Sequence, residues 1–393
     1  MKYIETGIEW CPKVPEHWKE LLFKNCVSIQ NGKDYKDIES SGGIPVIGSG
    51  GQFAYCTQTM YDGEVVFMGR KGTIDRPLYY NGPFWAVDTM FYAIPKKGFS
   101  AKYLYYLAVC FPYKKIYTQT ALPSMTQMAL RNLTIYIPEY SEQQRMVDYL
   151  DTKLSEIDKQ VALLTSKRDA YLRLKKSIIN NAVTKGLNPN VKLKDSGIDW
   201  IGEIPEHWGT KRGKDSIKVL YGFPADSNKF SDGDGIPLIR IRDIDSDKTE
   251  ATYTGYYPEA YLIKTGDLLV GMDGDFNVAK WKGKTALLNQ RVCKLSSKKS
   301  LFQEYLYYTI GIALKEINEK KVLTTVKHLS AFDIGQLSLP MPPLEEQIQI
   351  AYYLDDKCSK IDSIVENLEK QISRFADLKR ALIDEVITGK RAV

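Results

Sequence analysis

The segment GIEWCPKVPEHW at residues 7–18 returns as GIDWIGEIPEHW at residues 197–208. A fold built once around one core has no need of that, so the repeat restricts the chain to architectures made of two like halves. Further echoes follow in the same order. GIPVIGSGG (43–51) answers GIPLIRIRD (235–243), each a short apolar strand after a Gly-Ile-Pro turn. YDGEVVFMG (61–69) answers KTGDLLVGM (264–272), and KYLYYL (102–107) answers EYLYYT (304–309) as a helix start. Preserved order identifies a tandem duplication, and 393 residues give room for two or three domains at roughly 100–200 residues each.

The strongest echo is helical, over residues 137–186 and 339–393. Leu150, Leu154, Ile157, Val161 and Leu164 in the first, and Leu354, Cys358, Ile361, Val365, Leu368 and Ile372 in the second, fall on an alternating four-three spacing. That spacing predicts a coiled-coil seam. Prolines precede both stretches and Gly186 and Gly389 close them, as start and stop chemistry requires. A helix of about 45 residues is about 68 Å long, so a short linker favours antiparallel pairing over a parallel pair that would stretch it to its limit. The expected class is α+β: two pseudo-repeated globular α/β regions separated by two long helices in an antiparallel coiled coil. The expected order is a first globular domain at 1–136 with the PEHW segment at 7–18, a helix at 137–186 and a linker at 187–208. A second globular domain follows at 209–338, then a helix at 339–393. Trp18 and Trp208 are expected either where a globular region meets the coil or as buried anchors of a domain start, and His17 and His207 to be structural.

Catalytic signatures are missing from the sequence. It carries no P-loop, HExxH, GxSxG or CxxC pattern, and its six cysteines lack metal or disulfide spacing. NGPF at residues 81–84 approaches the Asn-Pro-Pro-Phe signature of amino-methyltransferases, but Gly82 replaces the first proline, and a hairpin turn is expected instead. DIDSDK at residues 243–248 opens like a calcium loop but lacks the central glycine and the closing glutamate, so a solvated loop is expected. No metal and no cofactor are expected. With no signal-like apolar segment and no long apolar run, a cytoplasmic protein is expected.

What remains is basic, polar and aromatic. The net charge is +6, with 13 basic against 8 acidic residues over 19–136 and 20 against 16 over 209–338. Turn-rich stretches such as GRKGTIDRPLYYNGPFW (69–85) and GMDGDFNVAKWKGKTALLNQR (271–291) mix Arg and Lys with Asn, Gln and aromatics. Arg and Lys neutralise phosphates or pair with guanine, and Asn and Gln match the adenine edge. Candidate DNA contacts are Arg70, Lys71, Arg76, Ser124 and Gln127 in the first region, and Arg240, Arg242, Asn277, Lys280, Lys327 and His328 in the second. Solvated surface loops carry the same residue types. A coiled-coil scaffold whose end domains bind protein partners is the competing reading.

An IPEHW or VPEHW segment before a variable region, a Gly-Ile-Pro strand, a Gly-Glu or Gly-Asp strand, a polar loop, then LPMPPLEEQ and a long helix, all in duplicate, resembles the specificity subunit of type I restriction-modification systems. The first copy departs from the pattern, reading PEYSEQQ, while Glu142 and Gln143 keep their places. The resemblance spans essentially the whole chain. It implies a noncatalytic DNA-specificity subunit whose two target recognition domains each read one half of a split, asymmetric site in double-stranded DNA. The long helices would set the half-site spacing. It also implies two modification subunits, which use S-adenosylmethionine to methylate adenine, and restriction subunits in the full complex.

Overall fold

The structure, a computed structural model, describes residues 2–118, 123–320 and 328–393. It divides into two compact units. The first is Met1–Thr165 with Glu369–Val393, and the second is Ser166–Leu368. Each long helix is therefore shared: its N-terminal and C-terminal parts lie in different units. Among the described residues, no helix is long and apolar enough to cross a membrane.

In the first unit, a seven-stranded mixed sheet runs in the order Val27–Asn31, Met90–Pro95, Tyr61–Gly69, Leu78–Ala86, Ile44–Gly48, Gly51–Cys56, Glu39–Ser40. Its centre is the Val65-Val66-Phe67-Met68 run, fully buried on both faces, as suits a strand flanked on both sides. Residues 81–84 are not a hairpin turn; they lie inside the strand Leu78–Ala86. The reason is a pair of glycines. Gly82 (φ 126°) stands opposite Gly63 (φ 140°), so both strands bend there without ending.

The second unit repeats this plan with one break. Its four-stranded sheet, Ile217–Tyr221, Val292–Ser297, Leu268–Gly271, Val278–Lys280, matches the first half of the first unit's sheet. The strand that would continue is interrupted, and resumes as Ala286–Leu288 in a separate five-stranded sheet. Asp243 does not sit in a solvated loop. It is 6 % exposed and ends a short 3-10 turn, accepting hydrogen bonds from the Arg240 backbone N–H (3.0 Å), Arg240 Nε (3.2 Å) and Thr249 Oγ1 (3.0 Å).

The long helices run Tyr140–Lys185 and Leu344–Ile387. Both start later than the expected 137 and 339, because Thr134–Ile137 and Ser338–Met341 are strands that pair antiparallel with Lys19–Leu22 and Gly209–Arg212. Prolines 138 and 342–343 separate strand from helix. In the first unit, Asp158 meets Lys379 (2.6 Å) and Tyr149 meets Arg391 (3.2 Å), so the pairing is antiparallel. In the second unit, Lys175 meets Asp362 (2.6 Å), while Gly186 at the end of one helix packs beside Glu346 at the start of the other. Of the eleven proposed seam positions, Leu150, Leu154, Leu354, Cys358, Ile361, Val365 and Leu368 are buried, and Ile157, Val161, Leu164 and Ile372 are half-buried.

The repeated PEHW segments find their purpose at the helix ends. Trp18 Nε1 donates to Glu142 Oε1 (3.1 Å) and Trp208 Nε1 to Glu346 Oε2 (3.0 Å), each glutamate lying in the first turn of a long helix. His17 and His207 bind the same carboxylates at 2.8 and 2.9 Å. Each indole is at most 4 % exposed, so the two readings of the tryptophans merge: a buried anchor that also touches the helix. The opposite helix ends on the same ring. Gly186 (φ 74°) and Gly389 (φ 72°) turn the chain in the left-handed region, and a Cβ on Gly186 would lie 3.1 Å from Trp208 Cζ2.

Next to each glutamate is a buried glutamine. Gln143 Oε1 accepts from Ser100 N (2.9 Å) and its amide donates to Pro138 O (3.0 Å). Gln347 Oε1 accepts from Phe302 N (2.8 Å) and its amide donates to Ser300 O (3.1 Å) and Pro342 O (2.9 Å). Replacing Gln347→Leu removes the side-chain partner of one buried and two partly buried backbone groups and should destabilise the protein by about 1–3 kcal/mol for each group that finds no water, read as a lower urea midpoint. For Asp243→Ala, which strands the Arg240 guanidinium, the expected loss is about 3 kcal/mol in the same measurement.

Candidate nucleic-acid interface

Both units build the same backbone junction at the end of their central strand. In the first, the strand Tyr61–Gly69 runs on into Arg70 and Lys71, and a returning segment is laid against it: Met125 N donates to Arg70 O (2.9 Å), and Lys71 and Ser124 form a β-bridge. Thr126 then caps the helix Gln127–Arg131 by accepting from Ala129 N (3.1 Å). In the second unit, Leu329 N donates to Met272 O (2.7 Å), Asp273 and His328 form the bridge, and Ser330 caps the helix Ala331–Gln336. The frame is the same and the side chains are not.

A cleft of about 330 Å³ opens at the first junction, where Arg70, Lys71, Ser124 and Gln127 converge with Asn31 and Thr126. Gln127 is partly committed, its amide donating to Ile29 O (2.6 Å). Lys71 is exposed and Arg70 half-exposed, and neither meets a carboxylate among the described residues. Arg76 is exposed but stands apart from this cleft.

At the second junction an acid, Asp273, stands where the first has Lys71. Asp273 holds His328 Nδ1 at 2.7 Å and Arg291 Nη1 at 3.4 Å. The loop between, residues 273–277, carries Phe276 at φ 52°, a strained conformation for an aromatic residue, held by burial of its ring while Asn277 beside it is exposed. Arg242 is exposed, Arg240 is tied to Asp243, and Lys280 lies away from the junction on the strand Val278–Lys280. Lys327 lies outside the described residues, as does most of the polar loop before it.

The sequence reading passed over Asn31, Asp273 and Arg291. The Ser330-x-x-Asp333 capping box was a signal that could have located the second junction's helix. All six cysteines are free thiols, and burial pushes Cys11 up to about 11 and Cys26 and Cys293 up to about 12, so these three stay protonated near neutral pH and act as small apolar side chains. Among the described residues no cluster of His, Cys, Asp and Glu could hold a metal ion.

Comparison with known proteins places this duplicated architecture. The chain is 36 % identical over 202 residues to the type I restriction enzyme EcoBI specificity subunit of Escherichia coli, a match covering 51 % of this chain and 42 % of that protein's length. It is 23 % identical over 422 aligned positions to the type I restriction enzyme MjaVIII specificity subunit of Methanocaldococcus jannaschii, covering 96 % of this chain and 94 % of the relative. A solved chain described under complex assembly and conformational transition of the type I R-M system shares the fold, with a TM-score of 0.70 at 15 % identity over 96 % of this chain and 99 % of the other. The type I restriction modification DNA specificity domain matches twice, at residues 15–165 and 205–374, and the chain belongs to that family.

Proposed function

We propose that this chain is the noncatalytic sequence-reading subunit of a type I restriction-modification complex, and that each unit reads one half of a split site in double-stranded DNA. The observation that carries this reading is the duplicated junction: one backbone frame presents Arg70, Lys71, Ser124 and Gln127 in one copy and Asp273, Asn277 and His328 in the other. Two frames with different edges suit two half-sites of different sequence, because base choice rests on which side chains reach the groove. Arg76, Arg240, Arg242, Lys280 and Lys327 complete the proposed contact set.

The long helices act as ruler and dock. The seam positions Leu150, Leu154, Ile157, Val161 and Leu164 on the first helix, and Leu354, Ile361, Val365, Leu368 and Ile372 on the second, fix the separation of half-sites, and the repeated helix ends receive two modification subunits. Those subunits bind S-adenosylmethionine and carry methyl transfer; restriction subunits join to cleave. This chain performs neither step, working in the cytoplasm with its partners.

The deciding experiment assembles the full chain with modification subunits and determines its site from a randomised duplex pool. In Arg70→Ala, a base contact costs about 1–3 kcal/mol and relaxes one position of one half-site, while the other half-site stays as it was; a phosphate contact weakens all sequences alike. Simultaneous change in both half-sites would refute the modular reading. A heptad added to both helices, near Leu164 and Leu368, lengthens the coil by about 10.5 Å, close to three base pairs, so the preferred spacer should grow with both half-sites unaltered.

A further inference from the structure

The second unit holds a groove of about 1070 Å³ away from the junction. Its walls are the last turns of the first long helix, the first half of the second, the helix Gln303–Lys320, and the strand Val278–Lys280. Six basic residues line it against four acids, Asp245, Asp355, Asp362 and Glu366, and two of the acids are engaged: Asp362 by Lys175 (2.6 Å) and Asp355 by the Tyr308 hydroxyl (2.6 Å). Arg173, Lys176 and Lys282 are exposed and meet no carboxylate among the described residues. The Lys280 amine sits 4.8 Å from the centroid of the Tyr307 ring.

Duplication provides an internal control. Glu142 and Glu346, Asp158 and Asp362, and Lys175 and Lys379 stand 204 residues apart, and the same spacing sets Arg173 against Asp377, Lys176 against Arg380 and Asn180 against Asp384. In the first unit the corresponding space is a smaller cleft of about 380 Å³ lined by Cys110, Asp377, Arg380 and Asp384. On the sheet side, Tyr79 pairs with Val66 where Lys280 pairs with Leu268, the same ladder position in each copy. Tyr79 lies tilted beside Tyr105, 6.4 Å between centroids, with the Lys102 amine 5.7 Å from the Tyr79 ring centroid. Three of these four positions therefore move toward positive charge in the second copy, and the fourth stays basic.

We propose that this groove is a sequence-independent seat for the phosphate backbone of double-stranded DNA, present in the second unit and lacking in the first. The inference rests on the reading of the chain as a DNA-specificity subunit. Continuity with the junction selects DNA over an acidic protein segment. The strand that lines the groove leaves the junction loop at Asn277 and reaches Lys280 three residues on, about 10 Å at 3.3 Å per residue, or about three base-pair steps along a duplex. A duplex gripped at the junction thus continues onto these cations.

The test uses the full chain assembled with its modification subunits, titrated with a duplex carrying its site and with a scrambled duplex over a range of salt. Preference of the unaltered complex for its site checks the underlying reading first; no preference there sinks that reading, independently of the groove. The Arg173→Gln/Lys176→Gln/Lys282→Gln variant should then bind both duplexes more weakly by the same factor, with the salt slope shallower by up to about 2.7, near 0.9 for each phosphate no longer neutralised. Asp377→Arg, which gives the first unit the second unit's charge at that one position, should steepen the slope by about 0.9. Unchanged slopes in both variants overturn the proposal. So does loss of site preference in the triple variant, which would make these residues base readers, and so does failure to assemble with modification subunits, which would make the groove a seat for acidic protein.

Discussion

The bond from a tryptophan N–H to a glutamate in the first turn of a long helix is the contact on which each unit depends. An antiparallel helix pair brings the positive N-terminal end of one helix beside the C-terminal end of the other. A carboxylate suits the first and a left-handed glycine closes the second, so one indole can satisfy both, its N–H on Glu142 or Glu346 and its six-membered ring beside Gly389 or Gly186. The strand after each tryptophan then pairs with the strand that feeds the helix, Lys19–Leu22 with Thr134–Ile137 and Gly209–Arg212 with Ser338–Met341. Entry of the chain, direction of the helices and attachment of the sheet are settled within one cluster of contacts.

That arrangement explains why the repeated parts and the divergent parts of the sequence separate so cleanly. Trp, Glu, Gln and the seam residues answer to each other and to backbone groups, so a change in one strands its partner in a buried place. Side chains at the junction answer to few groups inside the molecule, Gln127 to Ile29 O in one copy and Asp273 to His328 and Arg291 in the other. Lys71 and Ser124 in one copy become Asp273 and His328 in the other without moving the backbone bridge that carries them. Even the sheet tolerates alteration, as its long strand Leu78–Ala86 has a broken counterpart around residues 281–285.

Much of the fold was legible in the sequence because a heptad repeat and a duplication are periodic signals, and periodicity survives without knowledge of contacts. Leu150 and Leu354 could be placed on a seam from spacing alone. The Trp18–Glu142 contact could not, since its partners lie 124 residues apart and neither residue announces the other. Residues 81–84 looked like a turn because Asn-Gly usually is one; pairing with a second glycine, Gly63, keeps the strand going. Asp243 looked solvated until Arg240 and Thr249 closed over it. In the first candidate site, Arg70, Lys71, Ser124 and Gln127 do converge, since the motifs there flank a single strand end. In the second, Asp273 was passed over, its significance arising only from the histidine brought to it from 55 residues away.

The two units differ in how the chain supplies them. Residues 166–368 form the second unit as one continuous stretch, whereas the first needs residues 1–165 and then 369–393. During synthesis from the N-terminus, the half that emerges first must wait, with Trp18 and the apolar face of its helix segment uncovered, until the last turns of the second long helix arrive. The half made later can close as soon as its own stretch is complete. A chain ending at residue 368 holds every residue of the second unit but lacks 369–393 of the first, leaving apolar surface of the first open to the aggregation that long-delayed contacts invite.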